Sequence, residues 1–206
     1  MIHTVTIDLT THCNRRCPEC CAGIGINRAL EHHDWAYFER AAKVLYGIER
    51  VNLTGGEPTA HPQFADFVPR FRELFGCEKL TMSTNGYRVL EHIALIARDF
   101  DAVDYSDYGD NHAALRLLRD SAMPVRIYAA GLLGVNFQQR STRGAGSCFR
   151  ACAESGTVAY ADGKLYGCCV APGISGAVGI DPVANWRDVI EAAPLPCSDC
   201  WFATGG

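Results

Sequence analysis

A chain of 206 residues has room for one domain, or one domain with a small appendage. Its composition, 48% hydrophobic and 20% charged, is that of a globular protein, and no apolar run is long enough to span a bilayer. A net charge of -4 without any run of Lys or Arg argues against polymeric nucleic acid, which wants a basic face, and leaves a free nucleotide open.

Val5 to Leu9 alternates apolar and polar and predicts a first strand. Asp34 caps a predicted helix through Tyr46, with Trp35, Phe38, Ala42 and Leu45 on one stripe and Gly47 as the stop. Arg50 to Thr54 predicts the second strand. Pro62 to Phe75 has helical spacing, with Pro69 expected to kink or restart it. A third strand over Lys79 to Ser83 leads to a helix over Val89 to Arg98. A fourth over Phe100 to Tyr105 leads to a helix over Asn111 to Arg119. Pro124 to Ala129 is the fifth strand. Strands alternating with helices imply βαβ units and a parallel sheet. The βα pattern stops after Gly134, with no clear sixth barrel strand, and 140–147 reads as a linker or loop. Gly156 to Cys168 then reads as a β-hairpin with an Asp162-Gly163 turn, and Asn185 to Ala193 as a short helix.

The fold class is therefore α/β: a shortened parallel βα barrel of about five strands, with a small C-terminal hairpin-plus-helix extension. The expected division is 1–147 for the core and 148–206 for the extension. Ligands of such sheets bind at the carboxyl ends of the strands. The unusual loops all fall there: Cys13, Cys17 and Cys20 after the first strand, Gly55-Gly56-Glu57-Pro58 after the second, and Thr84-Asn85-Gly86 after the third.

Eleven cysteines, six of them beyond Gly134, with no secretory signal peptide, read as metal ligands of a cytoplasmic chain rather than as disulfides. Three thiolates spaced like Cys13, Cys17 and Cys20 can converge on one point. They suit a [4Fe–4S] cube that keeps one open iron, or zinc with His12 or Cys21 as the fourth ligand. Two glycines in Gly55-Gly56 let main chain approach a ligand closely, and Glu57 can accept from an ammonium group or simply sit at a helix start.

Taken in order, these motifs resemble the radical S-adenosylmethionine (radical SAM) superfamily over about residues 4 to 130. The resemblance implies a cluster on Cys13, Cys17 and Cys20 whose open iron chelates the methionyl end of S-adenosylmethionine. It implies cofactor contacts from Gly55, Gly56, Glu57 and Pro58, from Ser83 and Asn85, and from Ser106 after the fourth strand. Arg126 on the fifth strand could pair with the cofactor carboxylate or stand at the surface. The position before the third cysteine, often aromatic in the family and packed near the adenine, is Glu19 here.

In the tail, Cys152, the hairpin, Cys168, a short helix and Cys197-Ser198-Asp199-Cys200 resemble the twitch extension, a shortened SPASM domain with one auxiliary [4Fe–4S] cluster on four cysteines. Four thiolates also fit structural zinc, and Cys148 and Cys169 compete as ligands. Cys21 and Cys77 read as buried small residues, and the histidines, including His32 and His33 at a helix entry, as exposed polar ones. The layout is similar to the small aminocyclitol dehydrogenase of antibiotic biosynthesis.

The chemistry implied is reductive cleavage of S-adenosylmethionine to a 5′-deoxyadenosyl radical, hydrogen abstraction, and a two-electron oxidation completed through the auxiliary cluster. An external one-electron donor such as flavodoxin or ferredoxin would feed it, and the substrate would be a small molecule or a peptide. Peptide maturation, radical modification of a nucleotide or amino acid, and a zinc-binding structural protein are the alternatives. Asp104, Tyr105, Asp107, Tyr108 and Tyr128 are candidates for proton transfer, with none singled out.

Overall fold

The structure is a computed structural model; it describes residues 2–17, 20, 22–25, 28–129, 156–167, 172, 179–185 and 187–188. Cys21, Cys148, Cys152, Cys168, Cys169, Cys197, Cys200, Glu19, the 140–147 segment and most of the helix expected at 185–193 lie outside the described residues.

The elements run β1 (Thr4–Thr10), α1 (Trp35–Leu45), β2 (Arg50–Gly55), a 3-10 turn (Pro58–Ala60), α2 (Phe64–Phe75), β3 (Lys79–Thr84), α3 (Val89–Asp99), β4 (Ala102–Asp107), α4 (His112–Asp120), β5 (Val125–Ala129), β6 (Thr157–Ala161) and β7 (Lys164–Tyr166). They form one seven-stranded sheet in the order β5-β4-β3-β2-β1-β6-β7. Every neighbouring pair is parallel except the β6–β7 hairpin.

The expected shortened parallel barrel is present, and the hairpin does not stand apart from it. β6 adds in parallel beside β1, with Val5 opposite Val158 and Ile7 opposite Tyr160. Its own alternation explains this. Val158 and Tyr160 are buried in the common core, and the Tyr160 ring lies 4.9 Å from that of Tyr37 on α1. Without β6, the wholly buried strand β1 would be an open edge.

Helices α1 to α4 pack side by side against one face of the sheet. Val5, Ile7 and Leu9, then Val51 and Leu53, Leu80 and Met82, and Val103 and Tyr105 point into that layer. Alternation therefore sends Thr6, Asp8, Asn52, Thr54, Thr81, Ser83, Asp104 and Ser106 to the opposite, concave face. One face is an apolar core and the other a polar wall.

The helix ends follow the sequence. Asp34 Oδ1 accepts from the Tyr37 N–H at 2.9 Å, and Gly76 closes α2 in the left-handed region at φ 57°. Pro69 does not interrupt α2, which is continuous from Phe64 to Phe75. The proline and Ala65, whose carbonyl loses its partner, are both exposed to water. Phe64, Phe67, Val68, Phe71 and Phe75 bury the opposite face.

Candidate active site

Main chain ties the loop after β1 to the turn after β2, and the Glu57 side chain ties in the loop after β3. Gly56 N–H donates to Thr10 O at 2.7 Å and Glu57 N–H to His12 O at 2.8 Å. The two glycines are required by this approach. A Cβ on Gly55 would meet Thr10 O at 2.2 Å, and one on Gly56 would meet His12 O at 2.1 Å. Gly55 also has φ +114°. The close approach expected toward a ligand is thus, in the first place, an approach to the loop that carries Cys13.

Glu57 is fully buried and its carboxylate is an internal staple. Oε1 accepts from Thr59 N–H at 3.2 Å and from the Thr59 and Thr84 hydroxyls at 2.7 Å each; Oε2 accepts from Asn85 N–H at 2.7 Å. Burial pushes this carboxyl up, opposed by the hydrogen bonds from Asn85, Thr84 and Thr59. The side chain pins the loop after β3 to the turn after β2. Pro58 opens the short 3-10 turn that follows.

Asn85, held this way, reaches the cysteine loop. Its Nδ2 lies 3.0 Å from Asn14 Oδ1 and 3.7 Å from Cys13 Sγ. Arg15 N–H also points at Cys13 Sγ, at 3.4 Å. Burial pushes the Cys13 thiol up to about 11; the Arg15 N–H works against this, while Glu57, Cys20 and Cys17 add to it. A sulfur already facing two N–H donors suits a thiolate whose charge is balanced by a metal centre. Cys13, Cys17 and Cys20 are all free and partly exposed. Cys77 is buried, as expected.

A second set of contacts flanks Cys17. The Cys17 thiol donates to Tyr108 Oη across 3.6 Å. The Arg15 guanidinium lies over the Tyr108 ring, 4.0 Å from its centroid, and pairs with Asp110.

The remaining predicted cofactor residues line the concave wall. Asn52 Nδ2 donates to Ser83 Oγ at 3.1 Å, and Thr81 Oγ1 donates to Asn52 Oδ1 at 3.0 Å. Ser83 is in register with Asp104, Asp104 with Arg126, and Ser106 with Tyr128. Arg126 donates to Asp104 along one edge of its guanidinium, from Nε at 2.6 Å and from Nη2 at 2.9 Å. Of the proton-transfer candidates, Tyr105 is removed from the wall: it faces the helices, buried, with Oη donating to Asn111 O at 2.8 Å. Asp107 Oδ1 caps Gly109 N–H at 2.8 Å.

Sequence reasoning missed the return path from the cysteine loop to α1. His33 is buried rather than exposed, stacked on Tyr37 with ring centroids 3.9 Å apart. His12 stacks on His32 at 4.0 Å, and His32 meets the edge of His61 at 5.2 Å. Arg28 is buried between Asp8, 2.6 Å away, and Asp162 of the β6–β7 turn, 2.7 Å away. Glu31, His33 and Asp162 lie close enough to share a cation, but both Asp162 oxygens already accept from Arg28. No periodicity marks residues 22–33, so nothing local announced these contacts.

The profile of the radical SAM superfamily matches residues 7–119, more than half of the chain. The GTP 3',8-cyclase of Thermodesulfovibrio yellowstonii is 31% identical over 90 residues, 41% of this chain and 28% of that protein. The GTP 3',8-cyclase of Edwardsiella ictaluri is 36% identical over 93 residues, 42% of this chain and 28% of that protein. The match thus spans less than a third of these relatives. Among solved structures, BtrN in complex with AdoMet and 2-DOIA shares the fold with a TM-score of 0.58 at 15% identity, over 82% of this chain and 74% of that one.

Proposed function

Because this chain belongs to the radical SAM superfamily, we propose that it holds a [4Fe–4S] cluster on Cys13, Cys17 and Cys20, binds S-adenosylmethionine, and oxidises a small polar substrate. One arrangement carries the reading. Three free thiols stand on a loop at the carboxyl ends of a parallel sheet, and Gly55, Gly56, Glu57 and Asn85 fix that loop through main chain and a buried carboxylate. When bound, the cluster and S-adenosylmethionine supply one-electron reductive cleavage and a hydrogen-abstracting 5′-deoxyadenosyl radical.

The chain's own residues hold and aim. Asn85 and the Arg15 N–H donate to the Cys13 sulfur. Ser83, Ser106, Asn52 and Asp104 on the concave wall offer hydrogen bonds to the cofactor ribose or to a hydroxylated substrate, and Arg126 offers a planar fork to a carboxylate. Asp104 holds the Nε–Nη2 edge of Arg126, so a carboxylate would meet its Nη1 side. Tyr128, in register with Ser106 and 47% exposed, would in this reading exchange a proton with substrate.

The oxidative outcome rests on the tail. In this reading Cys152, Cys168, Cys197 and Cys200 would hold a second, auxiliary cluster, which would supply an acceptor for an electron from the substrate. The placement of the hairpin supports it: β6 lies directly beside β1, and β7 ends two residues before Cys168 in the sequence. An external flavodoxin- or ferredoxin-like donor supplies electrons to the first cluster. A second reading, radical modification of a free nucleotide, is favoured by the identity to GTP 3',8-cyclases.

The test is anaerobic reconstitution followed by turnover of S-adenosylmethionine with a strong reductant. The chain should release 5′-deoxyadenosine, and a variant with Cys13, Cys17 and Cys20 changed to Ala should release none while keeping about four irons and four sulfides on the tail. Wild-type chain that takes up zinc and cleaves no cofactor sinks the enzyme reading. A triple variant without iron removes the auxiliary cluster and with it the argument for an oxidative outcome.

A further inference from the structure

The contacts around Cys17 have no place in the binding of S-adenosylmethionine described above. Tyr108 is the first residue after β4, and its ring is held from two directions. The Arg15 guanidinium lies on its face and is itself fixed by Asp110. Asp107 and Gly109, which has φ +78°, shape the loop so that the ring meets the cysteine loop. The phenol oxygen then sits 3.6 Å from Cys17 Sγ. In the free protein either group can donate. A cysteine bound to iron is a thiolate and can only accept, so the phenol becomes the donor.

We propose that Tyr108 is a positioning residue that donates its phenol hydrogen to the Cys17 sulfur of the cluster and raises the cluster's reduction potential. Arg15 and Asp110 hold the ring for this contact. The proposal rests on the reading that Cys13, Cys17 and Cys20 hold the cluster. Reduction adds negative charge that spreads onto the cysteine sulfurs. A donor aimed at one of them stabilises the reduced form more than the oxidised one, as does the nearby guanidinium. Cys13 has its own donors in Arg15 N–H and Asn85, so among the described residues both Cys13 and Cys17 carry such contacts.

The test is the midpoint potential of the cluster whose electron paramagnetic resonance signal responds to added S-adenosylmethionine. Tyr108→Phe keeps the ring under Arg15 and removes only the hydroxyl. Its expected potential is lower, by about a tenfold change in the one-electron equilibrium constant, equivalent to about 59 mV, with iron per chain unchanged. An unchanged potential at full iron content overturns the proposal. If Tyr108→Phe fails to hold iron, Asp110→Asn decides: loss of the carboxylate charge alone raises the potential, so a lowered potential supports the role of the clamped ring, and an unchanged or raised potential overturns it. Wild-type chain that shows no cluster responding to S-adenosylmethionine overturns the reading of the cysteine triplet itself, a separate result.

Discussion

His33 shows how far one residue can depart from its local pattern. It precedes Asp34 and the first turn of α1, an ordinary place for an exposed polar side chain, yet only 5% of its side chain is exposed. Burial lowers its pKa from the usual value near 6.5 to about 4; Arg28 and His61 push the same way, and Asp162 and Asp34 oppose. The folded state thus holds His33 neutral while the unfolded chain takes up a proton more readily. Stability from this residue is complete above about pH 6.5, falls as the pH drops toward 4, and is fully lost below that. The expected loss is about 2 kcal/mol between pH 7 and pH 5. Urea unfolding of wild type and His33→Gln at both pH values checks it. The variant should lose that part of the slope, and comparison of the two proteins cancels effects common to both.

At the scale of elements, the turn after β2 acts as an anchor for the loop after β1. Gly56 does not need its glycine for backbone angle, since it is not among the positive-φ residues; it needs it for space. Gly56→Ala puts a Cβ against main-chain atoms of His12, which cannot swing aside as a side chain could. The cysteine loop must move instead. The expected result is a loss of about 1–3 kcal/mol in stability and a clear fall in iron bound per chain. Gly47→Ala is a useful contrast: its Cβ would meet nothing within 4 Å, though its φ of +77° is strained. That variant should lose stability and keep its iron. Equal iron loss in both variants would remove the anchoring role of Gly56.

For the molecule as a whole, the hairpin and the core meet at Arg28. Its guanidinium joins Asp8 on β1 to Asp162 in the β6–β7 turn, and it does so from the segment that returns from the cysteine loop. Three distant stretches of chain therefore share one buried cation. Removing that cation leaves Asp8, with 9% of its side chain exposed, without its counter-charge in a site where burial already pushes its carboxyl up. Arg28→Met should cost about 3–5 kcal/mol, seen as a lower urea midpoint, and adding Asp8→Asn should restore part of it. Asp162 is more exposed, at 39% of its side chain, so Asp162→Asn should cost less. No helix among the described residues is long and apolar enough to cross a membrane.

Local pattern alone was enough for the βα order, the helix stripes, the cap at Asp34 and the placing of Cys13, Gly55, Gly56 and Asn85 at strand ends. Each of these is written in local periodicity or turn chemistry, where the governing contacts are a few residues apart. It also carried the Asp-Gly hairpin at 162–163. Long-range packing was needed to show that this hairpin joins β1, that Glu57 is a buried staple, that Arg126 pairs with Asp104, and that His33 and Arg28 are internal. The continuity of α2 through Pro69 belongs with these, because the aromatic face that holds it packs against the sheet. These outcomes depend on partners 20 to 150 residues away. A polar side chain reads the same in sequence whether it faces water or a buried counterpart, and burial is settled only when the sheet brings that counterpart to it.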